Sequence, residues 1–203
     1  MLKEKLEKYN IILASKSPRR QFLLKELGLN FKVRTKEVDE SFPKKLKGSQ
    51  IALYLCKKKA DAFKDELQPN DLLITADTIV WIDNQALNKP ADYNEAVKML
   101  KLLSGKMHTV YTGVCLASPL LPSPQGEELA VRRFVVSTKV YFKKLTDKEI
   151  DFYVSNYKPY DKAGAYGAQE WMGYIGVEKI IGSYFNVMGL PVKELYEELM
   201  RFI

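Results

Sequence analysis

Two arginines at the start of a helix are the first sign of chemistry in this chain. Residues 11–13 (Ile11, Ile12, Leu13) read as a short buried strand. Ser17-Pro18 reads as a helix start, with serine as the cap and proline as the first helical residue. Leu23, Leu24 and Leu27 give that helix an apolar side, and Gly28 stands where its C-cap belongs. Arg19 and Arg20 therefore fall in the first turn, where the helix N-terminus already carries partial positive charge. Two guanidiniums placed there suit a bound anion. With free backbone N–H groups and the Ser15 and Ser17 hydroxyls they form a cradle for phosphate. An ordinary capped helix with surface arginines has the same spacing. The segment lacks the glycines of a P-loop or a dinucleotide fingerprint, which excludes both.

Three more places carry charge where charge is expensive. The stretch 71–82 (Asp71-Leu-Leu-Ile-Thr-Ala-Asp77-Thr78-Ile-Val-Trp-Ile82) has the near-continuous apolar character of a central strand buried on both faces, and Asp77 interrupts it. A carboxylate there must be paired, hydrogen-bonded or bound to metal. Residues 50–67 read as a long helix with Ala52, Leu55, Cys56 and Phe63 on one face. Lys59 lies in the middle of that face, whereas Lys57 and Lys58 point away. Lys59 either snorkels outward or meets a counter-charge. Asp39-Glu40 ends a half-exposed strand at 31–36, in which Phe31, Val33 and Thr35 alternate with charged residues. Such a pair can hold a divalent cation, but taken alone it reads as a solvated turn.

The elements that must position these groups alternate between strand and helix. After 71–82 the chain turns at Asp83-Asn84-Gln85 and returns as a short segment ending in Lys89. Asp92-x-x-Glu95 opens a helix closed by Ser104-Gly105. Residues 107–117 and 129–142 read as a long hairpin whose tip, 118–128, is a proline-rich loop. Thr146-x-x-Glu149 caps another helix. Asp161 to Gln169 is dense in glycine and alanine, which permits close approach of a backbone or ligand. Residues 182–191 lead into a last helix with Pro191 at its start.

The 203 residues suit one domain, 1–203, and the hydrophobic fraction of 46% supports a real core. No apolar run is long enough for a membrane span, and Met1–Asn10 has no secretory h-region. Cys56 and Cys115 fit buried free thiols in a reducing compartment. A single histidine, His108, excludes a multi-histidine metal site, so any metal is a hard cation held by carboxylates. The net charge of +7 fits a soluble basic surface, or attraction of an anionic substrate. No basic motif interleaved with aromatics marks a nucleic-acid-binding sheet.

Spacing gives a mixed α/β domain with a candidate anion site, and no reaction. The sequence resembles the Maf family of nucleoside triphosphate pyrophosphatases over nearly its whole length. Leu13-Ala14-Ser15-Lys16-Ser17-Pro18-Arg19-Arg20, Ala76-Asp77-Thr78-Ile79-Val80, Leu103-Ser104-Gly105 and Asp161-Lys162-Ala163-Gly164-Ala165-Tyr166-Gly167 carry the match. Gly182-Ser183-Tyr184 and Gly189-Leu190-Pro191 complete it. The resemblance implies an elongated, two-lobed α/β fold around a twisted mixed sheet with flanking helices, similar to the inosine triphosphate pyrophosphatases. It implies hydrolysis of a nucleoside triphosphate to monophosphate and pyrophosphate with a divalent cation, Mg²⁺ or Mn²⁺. Members are cytoplasmic, often dimeric, and linked to nucleotide-pool cleaning and cell-division arrest. The Ala165-Tyr166-Gly167-x-Gln169 form is similar to the branch acting on dTTP and UTP, extending to modified pyrimidine nucleotides. Glu170 departs from the commoner Gln-Gly pairing at 169–170.

By the same resemblance Ser15, Arg19 and Arg20 hold the triphosphate, and Lys59 and Lys89 add charge. Glu40 and Asp77 coordinate the metal, and Asp77 is the general base. Thr78 and Gln169 help choose the base. Two other readings compete: a non-catalytic nucleotide-binding regulator of cell division, and a basic nucleic-acid binder. The first has no need of carboxylates facing phosphate. The second predicts steeply salt-dependent binding to long polymers.

Overall fold

The computed structural model describes residues 2–121 and 129–203, and its frame is one mixed sheet. In chain order the elements are α1 (Leu2–Lys5), β1 (Asn10–Leu13), α2 (Pro18–Glu26), β2 (Lys32–Val33), α3 (Ser49–Asp61), β3 (Asp71–Ile82) and β4 (Gln85–Leu87). They continue as α4 (Tyr93–Leu103), β5 (Met107–Ser118), β6 (Ala130–Phe142), α5 (Asp147–Tyr157), α6 (Trp171–Gly176), β7 (Val177–Ile181), α7 (Tyr184–Met188) and α8 (Val192–Phe202). The strand order is β2-β1-β3-β5-β6-β7, with β4 also on β3. β1 pairs in parallel with β2 and β3, and the other pairings are antiparallel.

One edge of β3 explains where the cleft opens. β1 covers residues 71–74 and β4 covers 80–82 of the same edge. Residues 75–79, with Asp77 and Thr78 among them, have no strand beside them there among the described residues. The loop after β1 begins at that gap, where the Ala14 N–H is held by the Ile74 carbonyl at 2.9 Å. This is the carboxyl end of a parallel strand, the place where open α/β sheets bind ligands.

Alternation along β3 then sorts the side chains. Leu73, Thr75, Asp77 and Ile79 face α3, and the Thr75 hydroxyl donates to the Cys56 carbonyl at 2.6 Å. Asp77 stands opposite Gly113 of β5. A Cβ on Gly113 would lie 2.4 Å from the Ala52 carbonyl oxygen, so only glycine lets α3 sit this close to the sheet. That proximity brings Lys59 within reach of Asp77. The opposite face carries two apolar clusters. One joins α2 and α8 to Leu72, Ile74, Ala76, Val114 and Leu116. The other joins α4, α5 and α6 to Val80, Ile82, Val110, Val140 and Phe142. Between them lie Thr78, Thr112 and Thr138, bridged by the buried Asn186.

Local signals in the sequence match these elements closely. Ser17 caps α2 by accepting the Arg20 N–H, and Gly28 takes the left-handed backbone (φ +74°) that ends the helix. Thr146 and Glu149 form the reciprocal capping box of α5. At α4 Asp92 caps Glu95, but the Glu95 carboxylate takes the Ala91 N–H instead of the cap residue's own. Two expected elements shorten. The strand at 31–36 contracts to Lys32–Val33, because its partner among the described residues, β1, stops at Leu13. The helix at 50–67 stops at Asp61, and a separate 3-10 turn spans Lys64–Glu66. Phe63 leaves the helical path between them and is buried with Ile12 and Cys56. The helices α1, α6 and α7 and the strand β7 carry no local signal that spacing picked up. The expected loop at 122–128 lies outside the described residues.

His108, fully buried on β5, touches Phe142 and Tyr166 edge-on and shares a 2.8 Å hydrogen bond between Nε2 and the Tyr166 hydroxyl. Burial pushes its imidazole down from 6.5 to about 3. A depressed pKa means that the unfolded chain protonates first. The contribution is complete above pH 6.5 and is lost as pH falls toward 3. Unfolding free energy should therefore drop by up to about 1.4 kcal/mol per pH unit more steeply in wild type than in His108→Gln across that window. Equal slopes would show that this imidazole charges freely in the folded state.

Candidate active site

A cavity of about 900 Å³ opens at the gap in β3, and all nine residues singled out from the sequence line it: Ser15, Arg19, Arg20, Glu40, Lys59, Asp77, Thr78, Lys89 and Gln169. Its floor is a three-way ion pair. Lys59 Nζ donates to Asp77 Oδ1 at 2.5 Å and to Glu40 Oε1 at 2.8 Å. Lys89 Nζ reaches the other Glu40 oxygen at 3.0 Å. Asp77 is 6% exposed. Burial raises the Glu40 pKa, but the hydrogen bonds and charges of Lys59 and Lys89 outweigh it and bring it down to about 2.

The three consecutive lysines of α3 go three ways, as the helical period requires. Lys57 pairs with Asp61 one turn on, in solvent, and Lys58 pairs with Asp39 at 3.0 Å. Lys59 alone turns inward. The neighbouring carboxylates also part company. Both line the cavity, but Asp39 accepts from the Ser41 N–H and hydroxyl in an exposed turn, while Glu40 pairs with Lys59 and Lys89. Asp39 thus forms the exposed turn, and Glu40 takes the counter-charge to two lysines.

The arginines differ as much as the lysines. Arg20 is stitched to protein oxygens: Nε to the Gly189 carbonyl at 2.8 Å, Nη2 to the Thr78 hydroxyl at 3.0 Å and Nη1 to the Ser15 hydroxyl at 3.4 Å. Burial lowers its pKa, and the Asp77 carboxylate opposes that shift. The Ser15 hydroxyl also accepts the Ser17 N–H at 3.2 Å, which shapes the loop before α2. Arg19 instead reaches across the cleft to Asp161, with Nη1 at 3.1 Å from Oδ2. The Thr78 hydroxyl lies between Arg20 and Thr112, on the sheet face away from Lys59.

The far wall is the segment 161–169. A Cβ on Gly164 would fall 2.9 Å from Val80 Cγ2, so the small residues here serve close packing onto β3. Gln169 Oε1 is buried and has no hydrogen-bond partner among the described residues. A desolvated amide oxygen is costly unless a ligand completes it. Spacing passed over Lys16, Lys36, Asp161 and Lys162, which also line the cavity. Lys162 is 7% exposed and sits between two carboxylates, Asp161 at 2.6 Å and Glu170 at 3.1 Å. The adjacent acid and base of Asp161-Lys162 were the available signal.

No group of three or more His, Cys, Asp or Glu side chains gathers as a metal site among the described residues. Two carboxylates, Glu40 and Asp77, do converge on one Lys59 nitrogen. Two carboxylates with phosphate oxygens and water are a common donor set for Mg²⁺, so the residues present fit such a cation when it arrives with a polyphosphate.

Residues 10–202 match the family model described as Maf-like protein. A dTTP/UTP pyrophosphatase of Bacteroides thetaiotaomicron is 50% identical over 197 residues, covering 97% of each chain. One of Phocaeicola vulgatus is 51% identical over 199 residues, covering 98% of each. Among solved structures, the Ham1 protein of Staphylococcus aureus covers 95% of this chain and 98% of its own at 16% identity, with a TM-score of 0.48.

Proposed function

The chain belongs to the Maf family, and on that premise we propose that it is a nucleoside triphosphate pyrophosphatase acting on dTTP and UTP, as its relatives are named. The observation that carries this reading is the Lys59-bridged pair of Glu40 and Asp77, set in one cavity with the basic start of α2. A binding protein has no use for two carboxylates facing phosphate, because they repel it. A hydrolase needs an acceptor for the proton of the attacking water.

In this reading the triphosphate lies with its phosphates toward α2, Lys59 and Lys89. Asp77 accepts a proton from water as the water oxygen bonds to the α-phosphorus. The α–β bridging bond breaks, and pyrophosphate departs with the electron pair. Lys59, Lys89 and Arg19 neutralise charge growing on it. Ser15 and Arg20 hold the loop and helix start in place. Glu40 and Asp77 would hold a divalent cation, Mg²⁺ or Mn²⁺, which supplies Lewis-acid charge at the phosphate oxygens. Gln169 Oε1 accepts the N3–H of thymine or uracil, whereas cytosine offers an acceptor there and leaves the amide oxygen unpaired. Thr78 supports the choice of base through its hold on Arg20. The chain acts as one domain, 1–203. The buried free thiols of Cys56 and Cys115 support a reducing, cytoplasmic setting. No described helix is long and apolar enough to cross a membrane.

The test is product analysis with dTTP, UTP, dCTP and dATP in Mg²⁺. Monophosphate and pyrophosphate should appear, fastest from dTTP and UTP. Gln169→Ala should narrow the dTTP-over-dCTP preference in kcat/KM by about tenfold or more. Release of orthophosphate, or tight binding with no turnover, overturns the proposal; the latter outcome favours a non-catalytic regulator.

A further inference from the structure

Glu170, the residue after Gln169, is not needed to cap a helix by its side chain, yet its carboxylate is fully engaged. Oε2 accepts the Tyr153 hydroxyl at 2.6 Å, and Oε1 pairs with Lys162 Nζ at 3.1 Å. Tyr153 is fully buried, and its hydroxyl oxygen accepts the Gly167 N–H at 3.2 Å. The Glu170 N–H closes the turn on the Gly167 carbonyl, also at 3.2 Å. A Cβ on Gly167 would lie 2.9 Å from Glu170 Cδ, so the carboxylate packs directly against that backbone. Gln169 thus sits inside a turn held at both ends. From Lys162 the contacts run on to Asp161 at 2.6 Å, and from Asp161 to Arg19 at 3.1 Å.

We propose that Glu170 is a positioning residue: its carboxylate fixes the 167–170 turn that presents Gln169 to the base, and through Lys162 and Asp161 it links that turn to Arg19 on the phosphate side. This rests on the function proposed above. The physical argument is that Tyr153 and Lys162 are both buried donors. Without the carboxylate Tyr153 loses its acceptor and Lys162 keeps Asp161 alone, so the turn they hold loses its single arrangement. Gln169 then spends part of its time turned from the base, which weakens recognition more than chemistry.

The experiment compares wild type, Glu170→Ala and Glu170→Gln with dTTP and dCTP, alongside inhibition by inorganic tripolyphosphate. Glu170→Ala should lower the dTTP-over-dCTP preference about tenfold, through KM for dTTP, with kcat changed less than about threefold. Glu170→Gln keeps an acceptor for Tyr153 and should restore most of the base preference. Both variants lose the carboxylate charge opposite Lys162, which leaves more uncompensated cation on the phosphate side, and both should bind tripolyphosphate more tightly. Equal loss on both nucleotides without rescue by glutamine, or an unchanged preference in folded Glu170→Ala, overturns the positioning role. If wild type releases no pyrophosphate, the function fails separately. The turn is then judged by calorimetric affinities for dTTP and dCTP, and an unchanged ratio in the variants overturns it.

Discussion

Asp77→Asn should cut kcat for pyrophosphate release by about 10²–10⁴-fold, the range typical of losing a general base, while the protein keeps one cooperative unfolding transition. The asparagine is nearly isosteric. Its amide oxygen can still accept from Lys59, whose other partner, Glu40, is untouched. The backbone pairing of residue 77 with Gly113 does not depend on the side chain. What disappears is the negative charge and the basic oxygen. Turnover measured beside circular dichroism and a thermal melt separates the two effects. A variant with wild-type kcat would remove Asp77 from the role of base.

The second large effect is a contrast within one helix. Lys59→Ala should lower kcat/KM by about 10²-fold or more, because it removes a cation aimed at the leaving phosphates. It also leaves Glu40 and Asp77 facing the same cavity without the ammonium that joins them. Lys57→Ala, two positions away, breaks only an exposed pair with Asp61. Such i,i+4 pairs are worth about 0.3–0.5 kcal/mol, and activity should stay within about twofold of wild type. Similar losses in the two variants would mean that net charge on α3, and not the placement of one ammonium, matters.

That contrast was legible because it follows from local periodicity. A helix turns 100° per residue, so the apolar face set by Ala52, Leu55 and Cys56 decides which lysine points inward. The Ser17-Pro18 start of α2 and its Gly28 end are equally local, each resting on groups within one turn. The cost of a carboxylate in an apolar strand likewise singled out Asp77. The separation of Asp39 from Glu40 was not legible, since it depends on Lys58 and Lys59 nineteen residues away. The use of Arg20 as a stitch depends on a carbonyl at Gly189, 169 residues on.

By itself, then, the sequence determined the element types around the cleft, the inward lysine, the buried acid and the family resemblance, because these are written in short-range spacing and in the penalty for burying charge. Only the tertiary structure decided that β1 and β4 leave residues 75–79 open on one edge of β3. It alone decided that Glu40 meets Asp77 across one ammonium, and that the Glu170 carboxylate accepts the Tyr153 hydroxyl. The reason is that strand neighbours and ion-pair partners are chosen by how distant segments pack, and residues far apart in the chain carry no local signal of one another.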